Sequence, residues 1–130
     1  MKKIGIYFVA VWIAIGSSLV HAAVSDTDKQ FLAGYEKVRA ALAADDLDKA
    51  KTAASDLGDE GGGLAKSGSL KEARVAFEKL SEKAKTLAAG RSGYYVVNCP
   101  MLKKDWVQNS EKIGNPYAGK QMATCGEIKK

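Results

Sequence analysis

Three segments of the chain carry apolar residues at helical spacing. The first covers residues 27–46. An interval of three or four residues places side chains on one face of a helix, which predicts an amphipathic α-helix here. Thr27 and Gln30 form a capping-box pattern at its start. The predicted buried face consists of Phe31, Tyr35, Val38 and Leu42.

Two further helices are predicted by the same spacing. One follows Asp45 and Asp46, either of which can cap it, and carries Leu47, Ala50, Ala54 and Leu57. The other begins with a Ser69–Glu72 capping box, ends before Gly90, and carries Ala73, Phe77, Leu80, Ala84 and Leu87. Residues 58–69 between them contain five glycines. Because each glycine disfavours a helix, we expect a flexible loop there.

The fold class follows from these segments. Three helices with short connections predict a mainly α fold, a small antiparallel three-helix bundle over residues 23–90. Residues 91–130 have a different character, since they contain the β-type run "YYVV", both prolines, Trp106 and Tyr117. We therefore expect a short irregular C-terminal lobe of the same domain, with one or two short β-strands.

Residues 1–22 have the pattern of a secretory signal peptide. Lys2 and Lys3 precede an apolar run over residues 4–20, and "VHA" then supplies small residues at the cleavage positions. An uncleaved membrane anchor is the alternative, but the apolar run is short for one. We expect cleavage, export to a bacterial periplasm and no stable membrane insertion afterwards.

Loss of this segment changes the chemistry that the chain can offer. The formal net charge falls from +5 to +3 because Lys2 and Lys3 leave, and His21, the only histidine, leaves as well. The modest charge, interleaved with acids, argues against nucleic-acid binding. Without histidine, a serine-nucleophile motif or a Cys-x-x-Cys pair, the mature chain is not expected to be an enzyme.

Sulfur is the remaining candidate chemistry, and two interpretations stay open. Cys99 and Cys125 are an even pair in an oxidising compartment, which favours a disulfide worth about 3 to 4 kcal/mol. Met101 and Met122 each lie within three residues of a cysteine. Two thiolates and two thioethers are soft donors that select monovalent copper or silver. In that interpretation Trp106 and Tyr117 form an aromatic wall around the site; otherwise they are the small core of the lobe.

The C-terminal motifs resemble those of an uncharacterised family of secreted helical-bundle domains. The resemblance rests on "YYVVNCPM" at residues 94–101, Trp106, and "NPYAGKQMATCG" at residues 115–126. Domains of that family occur alone or joined to periplasmic adaptor subunits of copper and silver efflux systems. The resemblance implies metal-site candidates at Cys99, Met101, Met122 and Cys125. The mature chain has no histidine to add to them.

The function predicted from these observations is a periplasmic heavy-metal-binding protein. It would hold or transfer monovalent copper, or silver, through its cysteine and methionine sulfurs, with a metal-efflux or copper-handling envelope protein as partner. The alternative is an envelope structural or protein-interaction module without metal, stapled by a Cys99–Cys125 disulfide.

Overall fold

A computed structural model describes residues 25–130, so the predicted signal peptide at residues 1–22 lies outside the described residues. The helices are α1 (Asp26–Ala43), α2 (Leu47–Ser55), α3 (Gly62–Ala65) and α4 (Leu70–Ala88), and the strands are β1 (Tyr95–Cys99), β2 (Lys104–Gln108) and β3 (Glu127–Ile128). Two short 3-10 helices cover Gly58–Gly61 and Gly119–Met122. The predicted mainly α fold is confirmed.

The predicted apolar face of α1 is confirmed, but its predicted cap is wrong. Ser25, rather than Thr27, caps the helix, since its side chain accepts a hydrogen bond from the Asp28 backbone N–H at 3.1 Å. A cap two residues earlier leaves Thr27 inside the first turn. The buried residues of α1 include all four predicted ones, Phe31, Tyr35, Val38 and Leu42.

The ends of α2 and α4 are closer to prediction. Asp46 caps α2 by accepting from the Lys49 N–H at 3.0 Å, and Ser69 caps α4 by accepting from the Glu72 N–H at 3.2 Å. The reciprocal half of the capping box differs, because the Glu72 carboxylate accepts from Gly68 N–H rather than from Ser69. The buried residues of these two helices include Ala50, Ala54, Ala73, Phe77, Leu80 and Ala84.

The segment 58–69 is not the flexible loop that its glycines predict. It forms a 3-10 turn followed by α3, so the described chain has four helices where three were predicted. Leu64 on α3 is buried in the core. A Cβ on Gly61 would lie 1.8 Å from the Ala54 carbonyl oxygen, so glycine here permits two backbones to approach closely.

The three strands form one antiparallel sheet in the order β2–β1–β3, whereas one or two strands were predicted. Val97 pairs with Trp106 on one side and with Ile128 on the other. One hydrophobic core joins the sheet to the helices. Tyr35 of α1 donates its hydroxyl hydrogen to the Val107 carbonyl at 2.8 Å and accepts from the Val107 N–H at 3.2 Å. The lobe is therefore fixed to the helices through Val107 of β2.

Over residues 25–130, no helix combines the length and the apolar character needed to cross a membrane.

The cysteine and methionine lobe as candidate functional site

The two cysteines meet, and the predicted disulfide is confirmed. Cys99 ends β1 and Cys125 lies just before β3, and their Cα atoms are 5.6 Å apart. Strand pairing brings them together, because Asn98 of β1 pairs with Glu127 of β3. Cys99 is fully buried, whereas Cys125 is partly exposed. The staple therefore closes the C-terminal segment onto the central strand.

The two methionines lie in different surroundings. Met122 ends the 3-10 helix, packs against the core, and accepts a backbone hydrogen bond from Cys125 N–H at 2.9 Å, so the two residues share one turn. Met101 lies in the turn after β1 with its side chain 77% exposed. An extended chain would direct Cys99 and Met101 to the same side, but residues 100–103 turn instead. Of the predicted set, Met101 is the residue that faces solvent.

The donor chemistry of this lobe depends on the state of the sulfurs. Within residues 25–130, no group of three or more His, Cys, Asp or Glu side chains is placed to hold a metal ion. As a disulfide, the cysteines supply no thiolate. As dithiols they would supply two adjacent soft donors, and the Met122 backbone lies in the turn that holds Cys125. Thiolates are soft donors, which prefer monovalent copper or silver to hard cations.

Asn115 fixes the backbone around Cys125. Its side chain is fully buried; Nδ2 donates to the Cys125 carbonyl at 3.0 Å, and Oδ1 accepts from the N–H groups of Tyr117 and Ala118 at 2.9 and 3.1 Å. Its own N–H donates to the Ala123 carbonyl at 3.0 Å. The sequence indicated only a turn at Asn-Pro, whereas Asn115 ties both ends of the 115–126 segment together.

A second set of contacts attaches the same segment to the helices. Arg74 of α4 donates to the Pro116 carbonyl at 2.9 Å and to Asp45 Oδ1 at 2.5 Å. The other carboxylate oxygen of Asp45 accepts from Lys120 N–H at 3.1 Å. The hydrogen bond from Arg74 is the main reason that the pKa of Asp45 lies below its ordinary value. Sequence reasoning treated Asp45 as a helix cap and did not single out Arg74.

Gly119 allows this attachment. Its φ is +60°, a conformation that side chains disfavour, and a Cβ there would lie 1.8 Å from Asp45 Oδ1. The carboxylate can therefore approach the lobe backbone only at a glycine.

Trp106 and Tyr117 form the core of the lobe and join it to the core of the helices. Trp106 is fully buried and donates its indole N–H to Gln108 Oε1 at 3.0 Å. The Tyr117 ring lies edge-on between Trp106 and Phe77, with centroid distances of 6.3 and 5.5 Å. Burial raises the pKa of Tyr117 to about 12. Gly126, next to Cys125, packs against Trp106, so the aromatic core also lies beside the disulfide.

Comparison with known proteins returns no match to this chain among family models, curated proteins or solved structures. The family resemblance of the C-terminal motifs therefore stays a prediction.

Proposed function

We propose that the protein is exported to the periplasm, carries the Cys99–Cys125 disulfide, and binds monovalent copper or silver when this pair is reduced. The observation that supports the proposal most directly is the meeting of two cysteines that are 26 residues apart in sequence. Met122 adds to it, because it occupies the same turn as Cys125. A reduced pair at this position offers a soft binding site.

Reduction of the Cys99–Cys125 disulfide requires an external dithiol. A dithiol reductant donates two electrons and two protons to the Cys99–Cys125 bond and becomes a disulfide itself. Each cysteine then carries a thiol, and binding of a monovalent metal ion displaces these protons as the thiolates form. The metal affinity of the reduced protein should therefore rise with pH.

The four sulfur residues would have unequal roles. Cys99 and Cys125 would be the strong donors, and Met122 would complete the inner set. Met101 is exposed on the turn after Cys99, where its thioether would meet an ion delivered by a partner. Exchange through shared sulfur ligands would suit a metal-efflux or copper-handling envelope protein.

A second candidate is a stapled envelope module that binds a protein and no metal. The observation that favours it is that the disulfide is formed and that Cys99 is fully buried. In this case the two methionines pack or lie exposed without binding an ion.

Chelator competition distinguishes the two candidates. The mature chain, residues 23–130, is reduced, freed of reductant without oxygen, and mixed with a coloured complex of monovalent copper and bicinchoninate. We expect the reduced protein to remove copper from the chelator, the oxidised protein to remove none, and Met122→Leu to weaken the reduced form. Cys125→Ser serves as the control, because it keeps Cys99 and lacks the second thiolate.

The metal proposal is overturned if the reduced wild-type protein leaves the chelator complex intact. It is also overturned if Cys125→Ser takes up copper as well as wild type does. Either result would favour the stapled module.

A further inference from the structure

Exposed apolar side chains mark a groove between α4 and the turn that joins β1 to β2. Among the described residues the large apolar side chains with high exposure are Val75 at 67% and Met101 at 77%, with Ile128 lower at 37%. Val75 lines a cavity of about 340 Å³ together with Leu102 and Tyr117. Met101 is the chain neighbour of Leu102. The apolar floor of this groove is therefore left uncovered by the described chain.

Lysines without ion-pair partners surround this groove. Lys71 lines it, Lys66 lines the adjoining depression on the other side of Val75, and Lys103 lies beyond Tyr117. None of these three forms a salt bridge within residues 25–130. The surroundings of the groove are therefore positive.

The two other cations that line the groove are paired with carboxylates. Arg74 is paired with Asp45, and Lys104 is paired with Glu78. Glu72, the acid of the adjoining depression, accepts from Gly68 N–H but keeps its negative charge, so it offsets one of the three lysines. Three unpaired lysines against one unpaired carboxylate leave this surface net positive.

We propose that this groove binds an acidic segment of a partner protein that inserts an apolar side chain against Val75 and Leu102. Charge complementarity selects the acidic segment, and the apolar floor selects the anchor. A second copy of this chain is disfavoured because the predicted mature chain, without Lys2 and Lys3, still has a formal net charge of +3. An anionic lipid surface would require an extended apolar face, whereas the large apolar side chains with high exposure among the described residues are Val75 and Met101, with Ile128 lower. The proposal does not depend on metal binding.

The probe is a fluorescein-labelled peptide in which leucine alternates with aspartate, followed by fluorescence anisotropy with the oxidised, metal-free mature chain. Two control peptides replace every aspartate with lysine or every leucine with serine. We expect saturable binding of the first peptide only. Val75→Asp and Lys71→Glu should each weaken it by about tenfold or more. Lys37→Glu, an identical charge change on exposed α1 surface outside this groove, should change it less than about twofold.

Folding is checked separately, so that a binding loss is interpretable. Val75→Ser removes the anchor contact without adding charge, and its circular dichroism and melting temperature should match those of wild type, since Val75 is exposed. The proposal is overturned if the lysine-containing peptide binds equally well, or if Val75→Ser and Lys71→Glu bind like Lys37→Glu. It is also overturned if phosphatidylglycerol vesicles bind the protein through Val75 while the acidic peptide does not.

Discussion

Removal of the disulfide should lower stability through the unfolded chain. The substitution pair Cys99→Ala and Cys125→Ala leaves the separation of 26 residues open. The chain-entropy relation gives a loss of about 3.5 kcal/mol at 25 °C for a loop of that length. Truncation of the fully buried Cys99 side chain adds a smaller packing loss of about 1 kcal/mol. A domain of this size has a total stability of about 5 to 15 kcal/mol, so a large share depends on one bond.

Urea unfolding followed by circular dichroism measures this loss. With a slope of about 1.5 kcal/mol per molar urea, the midpoint of the double variant should fall by about 2 to 3 M relative to the oxidised wild type. Reduced wild-type protein is the control that keeps both side chains, and it should unfold close to the double variant. A midpoint change below about 0.5 M would refute the reasoning, because the remaining contacts would then hold the lobe without the bond.

Three further substitutions test the attachment of the lobe. Asn115→Ala should cost about 2 to 4 kcal/mol in urea unfolding, since it leaves buried backbone groups unpaired, whereas the exposed Asn109→Ala should be neutral. Gly119→Ala should cost about 2 kcal/mol or more, while Gly62→Ala, with open space around its Cβ position, should change stability by less than about 1 kcal/mol. The pKa of Asp45 is lower in the folded than in the unfolded protein, so the ionised carboxylate stabilises the fold at pH values above the unfolded pKa of 3.8. This contribution is lost as pH falls through the folded-state pKa. Melting temperature should consequently fall less between pH 5 and pH 2 in Asp45→Asn than in wild type; equal slopes would contradict this.

The parts of the fold that the sequence predicts are those set by local spacing. The buried face of α1 and the apolar face of α4 follow from intervals of three and four residues, which depend only on helix geometry. The Asp46 and Ser69 caps are equally local, because each accepts from an N–H three residues later. The residue type and the predicted compartment were enough to propose the disulfide as one of two interpretations of the cysteines.

The attachment of the lobe to the helices could not be predicted from local spacing, because its contacts are distant in sequence. Arg74 donates to Pro116 across 42 positions, and Lys120 N–H reaches Asp45 across 75. In the sequence alone, an arginine on an exposed-looking helix position and an aspartate at a helix junction have ordinary local explanations. Gly61 is a similar case, since its glycine-rich surroundings predict a loop while its contact with Ala54 supports a helical turn.

The structure also separates the motif residues that folding explains from those that it does not. Asn115, Gly119 and Trp106 each have contacts within the fold that account for their presence. Met101 has none of comparable extent, because 77% of its side chain is exposed and its burial stabilises the fold little. Met101→Ser should therefore leave the urea midpoint unchanged within about 0.3 M. Any loss of copper uptake or of peptide binding in that variant would then be a functional effect, and an equal loss of stability would show that Met101 serves the fold instead.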